Sequence, residues 1–252
     1  MRGRLAVVGL GPGDPRQLTP EAGAALADAS DLVGYGPYLA RVPAAANQVR
    51  HSSGNRAELA RARQAAGLAA AGRRVAVVSS GDAGIFAMAS AVFEAIETGE
   101  PAWRELDVEI VPGISAMLAA AARIGAPLGH DFCAISLSDN LKPWEVVRAR
   151  LAAAAAAGFV VVLYNPRSRA RAWQLGAAFE LLGSILPAAT PVAFATAVTR
   201  PEERIEITAL GKADPERADM RTLVLIGSAA MRRIDRPGAR PWLYAPRGSD
   251  AA

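Results

Sequence analysis

Short runs of consecutive apolar, mostly β-branched residues alternate with longer stretches in which apolar residues recur at three- and four-residue intervals. In the first half of the chain, residues 5–8, 31–34, 75–79 and 107–111 read as strands, and residues 19–29, 56–71 and 85–98 as helices. Strands separated by helices predict parallel pairing through right-handed crossovers. A short apolar helix over 114–124 leads to Gly125-Ala126-Pro127-Leu128-Gly129. Placing the boundary there gives an N-terminal α/β domain over 1–114, a C-terminal α/β domain over 115–235 and a tail over 236–252. In the second half, 132–137, 159–164, 191–195, 204–208 and 222–226 read as strands, and 143–157 and 169–182 as helices. The last two strands are expected to form an antiparallel pair. The Pro-, Arg- and Gly-rich tail is expected to pack loosely. The fold class is therefore α/β, in two domains.

Composition narrows the class. Of 252 residues, 52% are hydrophobic and 21% charged, enough to bury a core and too apolar for a disordered chain. No apolar run reaches the roughly 20 residues that span a bilayer, and the start of the chain reads as a strand rather than a signal peptide, so no membrane partner and a cytoplasmic location are expected. Cys133 is the only cysteine and sits in an apolar run, as a structural thiol would. His51 and His130 are the only histidines, so no metal site is expected. Positive charge rests almost wholly on arginine, with a formal net charge of +4. Guanidinium groups grip carboxylates through paired hydrogen bonds, so the cluster Arg167, Arg169 and Arg171, directly after a strand end, is a candidate for holding an acidic substrate.

The candidate chemistry lies in glycine-rich turns after apolar runs: Gly9-Leu10-Gly11-Pro12-Gly13-Asp14, Ser79-Ser80-Gly81-Asp82-Ala83-Gly84 and Val111-Pro112-Gly113-Ile114-Ser115-Ala116. In open α/β sheets the ligand crevice lies at the carboxyl ends of the strands, so the three turns suggest one small-molecule site lined mostly by backbone. The first turn fails as a dinucleotide fingerprint, because Asp14 stands where the third glycine belongs and Pro12 lies inside the turn. Asp82 reads as a cap for a helix that follows at once. Phe86 reads as part core and part pocket wall. Tyr164-Asn165-Pro166-Arg167-Ser168 ends an apolar strand, with Ser168 placed to cap the next helix. In Ser136-Leu137-Ser138-Asp139, Asp139 serves either as a general base or as a turn former.

Taken together, these motifs resemble the tetrapyrrole methylase family over about residues 4–235. The resemblance rests on Gly11-Pro12-Gly13-Asp14, Gly81-Asp82, Pro112-Gly113-Ile114-Ser115-Ala116 and the strand Thr222-Leu223-Val224-Leu225-Ile226-Gly227. Within the family it is strongest to the ring-contracting branch, through Gly34-Tyr35-Gly36-Pro37-Tyr38-Leu39, Ser79 to Ala89, Pro143-Trp144 and Leu163 to Ser168. Ala83, where many relatives carry proline, is typical of that branch.

The resemblance implies two α/β domains with the cofactor cleft between them, a homodimer, and S-adenosyl-L-methionine as methyl donor. It implies methylation of precorrin-3B at C-17 with ring contraction, on the route to cobalamin. It places cofactor contacts at Pro12, Gly81, Asp82, Ala83, Phe86, Ser115, Ala116, Tyr164, Asn165, Ala197 and Thr222. Asp139, Ser138 and Tyr164 are candidates for the base in contraction, by location. Arg167, Arg169, Arg171 and Arg200 would meet the carboxylates of the tetrapyrrole. Methylation at another carbon, or of a cobalt-containing intermediate, stays open. An RNA methylase of the same fold is a competing class, but it would want aromatic platforms in a basic groove. With 6% aromatics and no aromatic–basic interleaving, no nucleic-acid partner is expected.

Overall fold

The computed structural model describes residues 3–248. The chain divides into two compact units, Met1–Ala116 and Met117–Ala252. The first contains β1 (Arg4–Gly9), α1 (Pro20–Asp28), β2 (Asp31–Tyr35), α2 (Gly36–Leu39), β3 (Val49–Ser53), α3 (Glu58–Ala70), β4 (Arg74–Ser79), α4 (Met88–Thr98) and β5 (Asp107–Val111). Its sheet runs β3-β2-β4-β1-β5 and is parallel throughout. Leu5, Val7, Val75 and Val77 pack on one side with Ala62, Ala65 and Val92 of α3 and α4. Ala6, Val8, Ala76 and Val78 pack on the other with Ala22 and Leu26 of α1. Two buried faces explain why β1 and β4 have no polar alternation. Thr19 starts α1, its Oγ1 accepting the Ala22 amide at 3.1 Å, with Pro20 in the first turn.

The second unit takes in α5 (Ala116–Ile124) from its second residue, then β6 (Gly125–Ala126), β7 (Phe132–Ser136), α6 (Trp144–Ala156), β8 (Val160–Tyr164), α7 (Gln174–Gly183), β9 (Pro191–Thr196), β10 (Arg204–Ala209), β11 (Thr222–Ile226), β12 (Arg232–Arg236) and β13 (Ala239–Tyr244). Its main sheet runs β10-β9-β11-β8-β7, with β7 and β8 parallel and the other pairs antiparallel. Leu163, Leu175, Leu182, Val192 and Val224 fill the core, where Phe179 and Phe194 meet edge to face at 6.0 Å.

Several expectations need correction. The strands over 204–208 and 222–226 do not pair with each other: β9 lies between them and pairs antiparallel with both. Helix α4 starts at Met88 rather than residue 85, because residues 81–87 form a turn in which Phe86 adopts φ 50°. Helix α7 starts at Gln174 rather than residue 169. Ser168 and Arg171 exchange backbone hydrogen bonds at 3.0 and 3.1 Å, closing a loop where a helix was expected. The tail is not a loose extension as far as it is described. After the Pro237-Gly238 turn, β13 pairs with β12 and with β6, and Leu243 is fully buried. The approach to β6 depends on Gly125, at φ 130°, where a Cβ would press into the Leu243 carbonyl. Strand β3 was unforeseen because its sequence, Val-Arg-His-Ser-Ser, is polar. No described helix is long and apolar enough to cross a membrane, and no metal-ligating cluster is found among the described residues.

Candidate functional site

In the first unit, adjacent strands β4, β1 and β5 deliver the three glycine turns side by side at their carboxyl ends. The turns are hydrogen-bonded to one another. Leu10 N donates to Ser79 O at 2.8 Å, and Gly11 and Gly81 exchange backbone bonds at 3.1 and 2.9 Å. Asp82 does not cap a helix. Its Oδ1 accepts from Gly84 N at 2.8 Å and its Oδ2 from Gly113 N at 3.0 Å, which ties the second turn to the third. Carboxylate acceptors make such bonds stronger than neutral ones.

The packing leaves no room for side chains at the contacts between turns. A Cβ on Gly9 would lie 2.7 Å from Gly113 N and 2.8 Å from Gly81 O. Gly11 and Gly81 both take φ 68°, a region that favours glycine. Pro12 is buried between Gly11 and Gly13. Ser115 is 2% exposed, and the Ala83 methyl faces the hydrophobic core, so Ala83 can meet a ligand only through its main chain. Phe86 is 50% exposed.

The second unit brings its predicted residues to one end of its main sheet. The register pairs Ser136 with Tyr164 and Thr222 with Thr196, while Val224 opposite Leu163 sets the start of β11 beside the end of β8. Asn165 and Ala197 follow directly, both at positive φ (51° and 48°). Non-glycine residues there are uncommon, and such outliers concentrate at functional sites. Asn165 Nδ2 donates to Ser136 Oγ at 3.0 Å, and Tyr164 Oη accepts from Met117 N at 3.2 Å. The Thr222 hydroxyl is engaged within the fold, donating to Asp219 Oδ1, accepting from Asp219 N and sharing a bond with Thr196 Oγ1. Burial alone would raise the Asp219 carboxyl. Hydrogen bonds from the Arg221 backbone and Thr222, with the Arg221 guanidinium alongside, outweigh it and hold the group below the usual carboxylate range.

The candidate bases occupy the loop after β7. Ser138 N donates to Ser136 Oγ, and Asp139 Oδ2 accepts from Nε2 of Gln174, which is 1% exposed. Gln174 was missed from sequence because a glutamine at a helix start carries no chemical signature of its own.

The arginines separate into distinct roles. Arg169 is exposed and Arg200 half-buried in the turn after β9. Arg167 pairs with Glu216, and its Nε is buried without a partner in the structure. Such a donor is what an acidic ligand would satisfy. Arg171 differs from expectation: it is 7% exposed and donates to the Asn165 carbonyl at 3.1 Å, so it supports the turn from inside.

Over 98% of this chain and 97% of its relative, the sequence is 58% identical to a precorrin-3B C(17)-methyltransferase from Sinorhizobium sp.. It is 44% identical to a probable cobalt-factor III C(17)-methyltransferase from Salmonella typhimurium, over 89% of this chain and 92% of that one. The crystal structure of the methyltransferase CobJ superposes with a TM-score of 0.93 at 52% identity, covering 97% of this chain and all of the other. Residues 4–214 match the model of the tetrapyrrole (corrin/porphyrin) methylases. The fold, the turns and these relatives agree, and the chain belongs to the tetrapyrrole methylase family, as a methyltransferase of the cobalamin pathway.

Proposed function

We propose that the protein methylates precorrin-3B at C-17 with S-adenosyl-L-methionine and contracts the macrocycle, giving precorrin-4. The observation that carries the reading is the mutual bonding of three glycine turns at adjacent strand ends, with Gly11 paired to Gly81 and Asp82 holding Gly113. The residues suit the cofactor. The glycines hold backbone close to backbone, and Phe86, Asn165 and Ala197 carry left-handed geometry at three of the expected contacts. When bound, S-adenosyl-L-methionine supplies an electrophilic methyl group on a sulfonium.

In this reading Pro12, Gly81–Ala83, Phe86, Ser115 and Ala116 hold the cofactor, largely through main chain. The family resemblance extends the cofactor contacts to Tyr164, Asn165, Ala197 and Thr222. Thr222 acts through its backbone, its hydroxyl being engaged with Asp219. The protein's contribution to methyl transfer is alignment, which is worth about 7–11 kcal/mol when two reactants are well oriented. Arg167, Arg169 and Arg200 take substrate carboxylates. Asp139 accepts the proton in ring contraction; Gln174 fixes one carboxylate oxygen and leaves the other as the acceptor. Ser138 and Tyr164 orient the same region. The family resemblance extends to a homodimer, which sedimentation analysis would test.

The deciding experiment mixes purified protein with S-adenosyl-L-methionine and precorrin-3B and follows product mass and visible spectrum. One added methyl group with the spectrum of a contracted ring supports the reading. Methyl gain without contraction moves the enzyme to a sister step. Turnover only with the cobalt-containing substrate favours the activity named for the Salmonella relative.

A further inference from the structure

Gly34-Tyr35-Gly36-Pro37-Tyr38-Leu39 carries β2 into α2 and lies outside the three turns, yet the fold gives it a definite task. A Cβ on Gly34 would press into Val78 Cγ2 and lie 3.1 Å from Leu39 Cγ. With no side chain there, Leu39 packs against the cluster containing Val8, Leu10 and Val78. Pro37 falls in the first turn of α2, and the Tyr35 and Tyr38 rings meet edge to face at 5.3 Å. Arg41 N then donates to Tyr38 O at 3.0 Å. From β3, Arg50 donates to the Leu39 and Val42 carbonyls at 2.9 and 2.8 Å. These contacts fix the backbone from which the Arg41 side chain sets out.

That side chain reaches two of the three glycine turns. Arg41 Nη2 donates to Leu10 O at 3.0 Å and Gly11 O at 2.8 Å, and Nη1 donates to Ser80 Oγ at 3.0 Å. Its partners lie 31, 30 and 39 residues away in sequence, so these bonds hold only in the assembled unit. A planar guanidinium can grip several acceptors at fixed angles, whereas an ammonium offers a single point of charge. We propose that Arg41 is a positioning residue of the methyl-transfer site, which sets the spacing of the Leu10–Pro12 and Ser80–Asp82 turns and thereby the affinity for S-adenosyl-L-methionine. The inference rests on the reading that these turns hold that cofactor. The Gly34–Leu39 motif is the mount that delivers Arg41 to them.

The test is calorimetric titration of wild type, Arg41→Met, Arg41→Lys and Arg73→Met with S-adenosylhomocysteine, with urea unfolding of each. Arg73 is the control: its Nε binds Asp31 Oδ2 at 2.7 Å ahead of β4, at the opposite end of that strand from Ser80. In Arg41→Met, affinity should fall about tenfold or more, the scale expected when charge-assisted bonds are lost. In Arg41→Lys it should recover in part. Arg73→Met should lower the urea midpoint without changing affinity. In turnover, Arg41→Met should raise KM for S-adenosyl-L-methionine and leave KM for the tetrapyrrole unchanged. Affinity within about twofold of wild type in Arg41→Met overturns the proposal, as does the same result in Arg41→Lys should the methionine variant not fold. Equal losses in Arg41→Met and Arg73→Met overturn it too. Wild-type protein that does not bind S-adenosylhomocysteine overturns the cofactor reading itself, a result distinct from a failure confined to Arg41.

Discussion

Replacing Gly9 with alanine adds one methyl group where three turns meet. The new Cβ would lie 2.7 Å from Gly113 N, 2.8 Å from Gly81 O and 2.9 Å from Gly113 Cα. All three atoms are backbone, so no side chain can rotate away. Ordinary contact begins near 3.4 Å, so the second and third turns must both move. That movement acts on the Gly11–Gly81 pair and on the Gly113 N bond to Asp82. Overpacking costs about 1–3 kcal/mol, and each weakened hydrogen bond adds about 1 kcal/mol. Restricting the unfolded chain returns about 0.4–1 kcal/mol. The net expectation is a loss of about 2–4 kcal/mol of stability, with weakened cofactor binding. Urea unfolding followed by circular dichroism, paired with S-adenosylhomocysteine titration, measures both. Gly67→Ala is the matched control, since Gly67 lies within α3 with nothing within 4 Å of its would-be Cβ, and it should gain up to about 1 kcal/mol. If the two variants shift stability alike and bind cofactor like wild type, the steric reasoning is wrong.

Asp82→Asn leaves one oxygen for two amide donors and should cost about 1.5–3 kcal/mol, with reduced cofactor affinity; retention of both in the same two assays would show that Asp82 does not tie the turns. Arg167→Ala should raise KM for the tetrapyrrole with little change in cofactor affinity, and an equal loss of both would remove Arg167 from the substrate side. Asp31 sets an acid limit. Burial alone would raise its carboxyl, but hydrogen bonds from Arg73, His51 and Ser30 hold it below the usual range. Its stabilisation is therefore complete above the unfolded carboxyl value of about 4 and lost as pH falls from there through the folded value. Asp31→Asn should flatten that acid limb of the urea midpoint, and an unaltered limb would contradict the assignment. Ala197→Gly should be neutral or stabilising by up to about 1 kcal/mol, because relief at φ 48° offsets the added freedom of the unfolded chain. A loss above that size in thermal or urea unfolding would mean the Ala197 methyl matters more than its backbone.

The apolar runs at 5–8 and 75–78 determined β1 and β4, inside the first sheet, because a strand covered on both faces has to be apolar throughout, and that requirement is local to each strand. Thr19-Pro20 likewise determined the start of α1, since a cap involves only neighbouring residues. The glycine turns marked a ligand site through their place after strands, and the whole set of motifs pointed to the family. Tertiary structure decided everything that depends on partners distant in the chain. Asp82 looks like a helix cap until Gly113, 31 residues away, claims its second oxygen. Strand β9 separates β10 from β11 because the strand that best covers each edge need not be the next in sequence. The tail reads as loose until Gly125 lets β13 approach β6. Arg171 turned inward and Arg167 kept a buried, unpaired Nε, although the sequence presents them as equals four residues apart in one basic run. A local pattern specifies which element forms, whereas the partner of a side chain is set by which backbone atoms packing brings within hydrogen-bond reach.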